Sequence, residues 1–347
     1  LEQRLREAAG DMPVMGPNCH GYLNYLDNVA LWPDQHGGRS TERGAAVLSQ
    51  SGNIGINLTM QQRGLDLGYM ISVGNCSVLG VHDYIEALLD DSRVTVIGLL
   101  IEGVDDVAAF SRAAISALKK GVPIVAFKNG RSARGAEVAL SHTGSLAGSE
   151  LLYSALFTRL GIARCDTLSR FLETMKFLSL VGTLPARTVG SLSCSGGDAS
   201  IVADNAAVLG LEMPAPSEKS TRRLNALLGP NVAVANPLDY HLYIWANLEK
   251  LTTCFTELLS NGYACTLLVL DYPTGDDANW QVAERALVAA IDRTGQRAVI
   301  VASLPETMPD SVRERLKNAG IAPMQGIEDC LYAIRAAAII GEAQADA

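Results

Sequence analysis

One histidine, His142, lies in a segment of small residues, VALSHTGSLAGSE, where few bulky apolar neighbours are available to bury it. A neutral imidazole nitrogen is a good nucleophile and a good acceptor of protons. The residues from Gly130 onward are also rich in glycine and serine, and a loop of that length in a compact domain is usually functional. His142 is therefore a candidate catalytic residue, and a surface histidine without a function is the alternative.

Two further segments share one plan, in which an apolar strand ends in Ser-x-Ser-Gly and a helix follows at once. The first backbone N–H groups of a helix are unpaired and carry the positive end of the helix dipole, so they suit phosphate. Small residues are common at any strand-to-helix turn, but the matched pair of turns favours phosphate binding. The candidate phosphate-binding residues are Ser51, Gly52, Asn53, Ser195, Gly196 and Gly197.

The second turn, SCSGG, also lies one residue away from the G-x-S-x-G elbow that presents the nucleophile of α/β-hydrolases. Ser195 would be that nucleophile, but Ser193 replaces the first glycine and His241 is the only later histidine. Phosphate binding is the preferred interpretation, and a serine hydrolase is the weaker alternative. Neither a Walker A motif nor G-x-G-x-x-G is present, so these turns are not standard nucleotide loops.

The composition restricts the class of protein. The 347 residues are 48% hydrophobic and 19% charged, which is typical of a globular α/β protein. A formal net charge of -9 argues against sequence-independent binding to nucleic acid or to anionic membranes, and no run of 18 apolar residues predicts a membrane span. The seven cysteines form no C-x-x-C pair, which predicts reduced thiols in the cytoplasm, and the five dispersed histidines predict no metal site.

The elements that must position these residues alternate between short β-branched strands and amphipathic helices. This alternation predicts an α/β fold with parallel sheets that helices cover on both faces. The internal repeat predicts two consecutive flavodoxin-like domains at 44–185 and 186–341, with a tail at 342–347. Residues 1–43 begin with LEQRLREAAG and are expected to be the remnant of a truncated Rossmann-like domain. The predicted strands lie in RGAAVLSQ, TVIGLLIEG, VPIVAFKNG, RTVGSLSCSG, ACTLLVLDYP and RAVIVASLP.

The segment SHTGSLAG resembles the phosphohistidine loop of the NDP-forming acyl-CoA synthetases, which are relatives of the succinyl-CoA synthetase α subunit. Further motifs of that family follow in the same order along nearly the whole chain. They are GPNC at 16–19, LSQSGNIG at 48–55, SVGN at 72–75, DD at 90–91, IEG at 101–103, KNGRS at 128–132, SGG at 195–197 and NPLD at 236–239. The resemblance therefore depends on many ordered motifs rather than on one.

The resemblance implies a reaction and the roles of individual residues. The family joins a carboxylic acid to CoA while ATP is converted to ADP and phosphate, and it passes the phosphoryl group through a histidine, which here is His142. Glu102 matches the glutamate that forms a hydrogen bond with that histidine. The two helix N-termini would hold the phosphoryl group, whereas Gly16 and Asn18 would lie near the acid or CoA. Lys128 and Arg131 would steady the phosphate or the loop, with a solvated surface pair as the alternative.

The sequence also departs from the family. The resemblance implies that these 347 residues include neither the front of the CoA-binding domain nor the ATP-grasp domain that would bind nucleotide and Mg2+, so this chain alone is not expected to complete the reaction. An ATP-grasp partner, in the same polypeptide or in another subunit, and an oligomer are expected. His20 occupies a position where relatives often carry Leu or Pro, and Cys194 occupies one where they often carry Asn. A non-catalytic homologue that binds CoA or acyl-CoA is the alternative function.

Overall fold

The computed structural model describes residues 2–132, 134, 135, 137 and 150–347. The chain forms two compact units, one of Leu1–Ser179 with Ile339–Ala347 and the other of Leu180–Ala338. The domain limits predicted above come from motifs and the internal repeat rather than from packing, and they stay predictions. Within the described ranges, no helix is both long enough and apolar enough to cross a membrane.

The first unit contains a seven-stranded sheet. Its strands are β1 (Gly21–Asn24), β2 (Val29–Leu31), β3 (Gly44–Ser49), β4 (Leu67–Ser72), β5 (Val94–Ile101), β6 (Ile124–Lys128) and β7 (Ala163–Cys165). They lie in the order β2-β1-β4-β3-β5-β6-β7. Strands β3 to β7 are parallel, whereas β1 pairs antiparallel with both β2 and β4. Every residue of β3 is buried, as expected for a central strand with helices on both faces.

Helices cover this sheet. Along the first 180 residues they are α1 (Glu2–Ala9), α2 (Gly52–Thr59), α3 (Val81–Leu88), α4 (Val107–Lys119), α5 (Glu150–Arg159) and α6 (Leu168–Leu180). Helix α4 begins where the Asp106 side chain accepts a hydrogen bond from the Ala109 backbone N–H at 2.8 Å. Its buried side then carries alanines and Phe110, which pack into the core beneath the sheet. Local capping and apolar spacing thus account for this helix.

The second unit contains a five-stranded parallel sheet. Its strands are β8 (Val189–Ser193), β9 (Leu238–Asp239), β10 (Cys265–Val269), β11 (Ala298–Ala302) and β12 (Ala322–Gln325), in the order β12-β11-β10-β8-β9. The helices along this part are α7 (Gly196–Val208), α8 (Glu218–Leu228), α9 (Leu248–Leu259), α10 (Ala278–Thr294), α11 (Asp310–Asn318) and α12 (Ile327–Ala345). Apolar faces of α9 and α10 supply much of its core.

The parallel strands of the two sheets follow the same order. In each unit, the parallel strand that comes first in the sequence lies between the second and the third. The orders are β4-β3-β5-β6-β7 in one unit and β9-β8-β10-β11-β12 in the other. This is the flavodoxin-like order, and it confirms the predicted fold class. The chain changes direction between the first and third strands, so a crevice opens beyond their carboxyl ends. Each Ser-x-Ser-Gly turn follows the first strand and therefore borders this crevice.

Candidate functional site

The first Ser-x-Ser-Gly turn joins β3 to α2. Ser51 is the N-cap of α2, and its side chain accepts a hydrogen bond from the Ile54 backbone N–H at 3.5 Å. Ser49 Oγ donates to the Ser51 carbonyl oxygen at 2.7 Å, which fixes the chain between strand and helix. The first turn of α2 contains no acidic residue. The backbone N–H groups of Gly52 and Asn53 can therefore attract an anion without competition from a carboxylate on the same turn.

The imidazole of His20 lies directly against this turn. A Cβ atom at position 52 would overlap His20 Nδ1, so a larger residue there requires the His20 ring or the turn to move. The His20 ring also packs against the indole of Trp32, with ring centroids 5.4 Å apart, and the His20 backbone N–H donates to Ser72 Oγ at 3.1 Å. An imidazole is thus held beside the N-terminus of α2. Sequence reasoning noted residue 20 only as a departure from the family.

Glu102 directly follows β5, at the same edge of the sheet as the first turn. Gln50 holds this segment, because its Oε1 accepts hydrogen bonds from the backbone N–H groups of Glu102 and Gly103. The Glu102 Oε2 atom is buried and has no hydrogen-bond partner among the described residues. A buried carboxylate oxygen without a partner is costly. Its position is therefore suited to a donor from a ligand or another segment.

The GPN turn is attached to the loop that follows β4. The Gly16 carbonyl oxygen accepts a hydrogen bond from the Ser77 backbone N–H at 3.0 Å, and Asn18 Nδ2 donates to Asn75 Oδ1 at 3.3 Å. Gly16 has a φ of +83°, and a Cβ atom there would come within 2.7 Å of Cys19 Sγ. The two predicted substrate-proximal residues, Gly16 and Asn18, thus lie at the carboxyl end of the first sheet.

Lys128 ends β6 and is almost fully buried, with 1% of its surface exposed. Its Nζ atom donates to the Asn129 carbonyl oxygen at 2.9 Å and lies 4.6 Å from the centroid of the Tyr153 ring. Burial lowers the pKa of Lys128, whereas the carboxylates of Glu150 and Glu102 act in the opposite direction. The alternative of a solvated surface lysine is therefore wrong. Lys128 supplies positive charge at the strand end next to Glu102.

The second Ser-x-Ser-Gly turn, between β8 and α7, repeats the backbone arrangement of the first. Ser195 is the N-cap of α7 and accepts a hydrogen bond from the Asp198 backbone N–H at 3.3 Å. Ser193 Oγ donates to the Ser195 carbonyl oxygen at 2.9 Å. Gly196 and Gly197 are exposed. The local geometry predicted from the repeat is thus present in both units.

The charges around this second turn are different, because carboxylates surround it. Asp198 lies in the first turn of α7, and a Cβ atom at Gly196 would be 3.3 Å from Asp239 Oδ2. Burial, together with the negative charges of Asp271 and Asp239, raises the pKa of Asp198. Negative charge at this helix N-terminus disfavours a doubly charged anion. The second turn is therefore the less suitable of the two for phosphate.

The serine hydrolase alternative requires Ser195 and His241 to act together. Ser195 Oγ instead caps α7, and His241 Nε2 lies 3.6 Å from Asp239 Oδ2 while its ring stacks on Tyr243. Among the described residues no hydrogen bond joins Ser195 to His241. The arrangement of a nucleophile activated by a base is thus not formed here.

The structure gathers most of the predicted site at one edge of the first sheet. Glu102 shares that edge with the first glycine turn and the GPN turn, while Ser195, Gly196 and Gly197 take the corresponding place in the second unit. His142 lies outside the described residues. Sequence reasoning missed the role of Gln50, although its position inside LSQSG was a usable signal. It also missed the contact between His20 and Gly52, which no sequence pattern encodes.

Comparison with known proteins identifies the family. A model of the succinyl-CoA ligase like flavodoxin domain matches residues 42–178. A stretch of 232 residues is 34% identical to the acetate–CoA ligase (ADP-forming) II subunit alpha of Pyrococcus furiosus, covering 66% of this chain and 49% of that protein. The chain belongs to the NDP-forming acyl-CoA synthetase family. This family member is also 30% identical over 249 residues to the acetate–CoA ligase (ADP-forming) of Methanocaldococcus jannaschii, covering 69% of the chain and 34% of that protein.

The chain spans between about a third and a half of the length of these curated relatives. The chain is similar, with a TM-score of 0.83, to a solved structure from Ca. Korarchaeum cryptofilum. That structure is described as a dinucleotide forming acetyl-coenzyme A synthetase 1 in complex with phosphate and ADP. The similarity covers 99% of this chain and 74% of that one at 24% identity. It supports the fold of the described residues.

Proposed function

We propose that this chain is the α-subunit-like part of an ADP-forming acyl-CoA synthetase. A carboxylic acid, CoA and ATP are converted to acyl-CoA, ADP and phosphate, so CoA and the nucleotide are substrates rather than bound cofactors. Relatives named acetate–CoA ligase (ADP-forming) and trans-feruloyl-CoA synthase support an acid–thiol ligase. An ATP-grasp domain or subunit would bind the nucleotide and Mg2+. Assembly with it, further oligomerisation and a cytoplasmic location belong to the same proposal.

The reaction proceeds by three displacements. An imidazole nitrogen of His142 attacks the γ-phosphorus of ATP, forming an N–P bond while the bond from that phosphorus to the leaving oxygen of ADP breaks. A carboxylate oxygen of the acid then attacks the same phosphorus, which gives an acyl phosphate and regenerates the imidazole. The CoA thiol finally attacks the acyl carbon, loses its proton and expels phosphate. The histidine is a carrier, as its nucleophilic and labile phosphoramidate chemistry allows.

The observation that carries this proposal is the unpartnered Oε2 atom of Glu102. A carboxylate in this position would accept a hydrogen bond from the ring nitrogen of His142 that does not carry phosphorus. It would fix the imidazole tautomer and stabilise the positive charge of the phosphorylated ring. Gln50 accepts a hydrogen bond from the Glu102 backbone N–H, so the backbone that carries this carboxylate is held in place.

Phosphate recognition is assigned mainly to the first glycine turn. Backbone N–H groups at the start of α2 would hold the phosphoryl oxygens, and the turn has no acidic residue of its own. Ser195, Gly196 and Gly197 would make a weaker contribution, because Asp198 and Asp239 lie beside them. Gly16 and Asn18 would contact the acid or CoA.

The test is phosphorylation of the full-length protein, or of this chain with its ATP-grasp partner, by γ-labelled ATP. An acid-labile, base-stable phosphate is expected in the wild-type protein and none in His142→Ala. His36→Ala is a matched control, since His36 contacts Tyr25 at 3.2 Å and has no assigned role. Addition of an acid substrate and CoA should remove the label. A wild-type protein that takes no label with a competent partner would instead support the non-catalytic CoA-binding homologue.

A further inference from the structure

The segment that carries Glu102 is held from two sides. The backbone N–H groups of Glu102 and Gly103 donate to Gln50 Oε1. The next backbone N–H, that of Val104, donates to Tyr153 Oη at 2.8 Å. Gln50 precedes the first glycine turn, whereas Tyr153 lies near the start of α5. Two side chains from separate parts of the chain thus bind three consecutive backbone donors.

Tyr153 is a rigid acceptor for this hydrogen bond. It is buried, and its ring packs against Phe157 with ring centroids 5.7 Å apart. Burial raises the pKa of the Tyr153 hydroxyl, while the hydrogen bond from Val104 acts in the opposite direction, so the phenol is neutral. Glu150, the first residue of α5, forms an ion pair with Arg164 of β7. The start of this helix is therefore anchored on the sheet.

The ring of Tyr153 also contacts a buried cation. Lys128 Nζ lies 4.6 Å from the ring centroid, and a cation over an aromatic face is attracted more strongly when both groups are shielded from water. Lys128 is the last residue of β6, and Tyr153 lies near the start of α5. Their contact therefore joins the two ends of residues 129–152, the part of the chain that contains His142.

One tyrosine thus makes two connections. Its ring holds the ends of the segment with His142 together, and its hydroxyl ties these ends to the segment with Glu102. Holding the ends of a chain segment together limits the volume that its interior residues can reach. A reacting group that is kept near its partner in this way reacts faster, and small displacements are costly.

We propose that Tyr153, together with Lys128, is a positioning residue for phosphoryl transfer. The pair keeps the base of the segment with His142 at a fixed distance from Glu102, so that the imidazole meets the carboxylate. Tyr153 is buried and acts through the segment of Glu102 rather than on the substrate. This inference rests on the proposed synthetase function, whose carrier histidine it positions.

The experiment uses Tyr153→Phe in the full-length enzyme, because phenylalanine keeps the ring over Lys128 and removes only the acceptor for Val104. Label formation on His142 from γ-labelled ATP should fall about tenfold, with KM for the acid and for CoA unchanged. In a Glu102→Gln background the same change should cost less than about twofold, because the position of a carboxylate no longer matters once the carboxylate is gone.

The lysine is tested separately. Lys128→Met removes the cation from the Tyr153 ring, and label formation should fall about fivefold. Lys128→Arg keeps a cation that can stack on the ring and should recover most of this loss. A loss that Lys128→Arg does not recover would overturn the role given to the contact with the ring.

Tyr263→Phe is the matched control. Tyr263 is also buried, and its Oη donates to the Pro214 carbonyl oxygen at 3.0 Å in the second unit. This variant should lower the thermal stability about as much as Tyr153→Phe and leave label formation at the wild-type rate.

The outcomes separate the inference from the proposed function. An unchanged labelling rate in Tyr153→Phe would overturn the inference, and so would a tenfold loss that is the same with and without the Glu102 carboxylate. Equal losses of label in Tyr153→Phe and Tyr263→Phe would indicate an effect of stability and would also overturn it. Absence of label in the wild-type enzyme with a competent partner would overturn the proposed function itself.

Discussion

The two Ser-x-Ser-Gly turns of this molecule have the same backbone design and different electrostatic surroundings. In each, a serine caps the helix, and the serine two residues earlier donates to its carbonyl oxygen. The first turn has the His20 ring against Gly52 and no acid in its helix, whereas the second has Asp198 and Asp239. A repeated motif thus specifies a helix N-terminus, and the side chains from other strands decide which ligand suits it.

The same contrast occurs one strand further along each sheet. Glu102 follows β5 and has a buried oxygen without a partner, while Asp271 follows β10 and uses Oδ1 to accept hydrogen bonds from the loop after β11, including the Ser303 backbone N–H at 2.9 Å. Thr307 Oγ1 donates to the same oxygen. One carboxylate thus keeps an oxygen without a partner among the described residues, and the other stabilises a loop.

The largest difference is expected for the glycines of the two turns. In Gly52→Ala the added methyl group overlaps His20, so the ring or the turn must move, and phosphorylation of His142 should slow by about 100-fold. In Gly196→Ala the nearest atom is Asp239 Oδ2 at 3.3 Å, and the rate should fall less than about threefold. Both rates are measured as label incorporation from γ-labelled ATP. The double variant His20→Gly with Gly52→Ala should recover part of the rate, and equal losses in the two single variants would contradict the assignment.

The carboxylates give the next contrast. Glu102→Gln removes the charge that would face the phosphorylated imidazole, and label formation should fall about 30-fold with little change in thermal stability. Asp271→Asn weakens hydrogen bonds of a structural loop and should cost about 1–2 kcal/mol in the free energy of unfolding, with label formation near the wild-type rate. Asp105→Asn, next to the Glu102 segment and exposed, is the control for a local change of charge. The idea fails if the Glu102 and Asp271 variants behave alike.

The N-cap serines separate stability from function. Ser51→Ala and Ser195→Ala each remove one capping acceptor, so each should lower the free energy of unfolding by about 1 kcal/mol, measured in urea. Ser51→Ala should also slow phosphorylation by roughly fivefold, and Ser195→Ala should slow it less, because the first turn makes the larger contribution to holding the phosphoryl group. A larger functional loss in Ser195→Ala would reverse the ranking of the turns.

The smallest effect concerns the pH dependence of stability. Burial raises the pKa of Asp198 in the folded protein above the ordinary value of 3.8. The ionised carboxylate therefore destabilises the fold in full at pH values above the folded-state pKa, and this cost is absent below pH 3.8. Asp198→Asn should therefore be more stable than the wild type at pH 7, with an advantage that disappears as the pH falls through the folded-state pKa.

Asp91 is the opposite case, since hydrogen bonds from Arg93 lower its pKa. Asp91→Asn should be less stable than the wild type at pH 7, and this deficit should shrink as the pH falls below 3.8. Urea unfolding at several pH values checks both signs.

Much of the fold could be predicted from the sequence because the signals are local. All six predicted strand segments contain a strand, since each is a short apolar run bounded by Gly, Pro or Ser. The weaker strands were not predicted. Strand β12 has only four residues and contains Pro323, and β1 pairs antiparallel with both β2 and β4, so their structure depends on neighbouring strands.

The fold class, the family and the positions of both glycine turns could be predicted from the amino-acid sequence, because periodicity, turn residues and ordered motifs are properties of short segments. Three features became apparent only in the folded protein: Gln50 holds Glu102, the His20 ring lies against residue 52, and carboxylates surround the second turn. These contacts join residues far apart in the chain. They follow from the order of strands in the sheets, which brings separate loops to one edge and which no local pattern encodes.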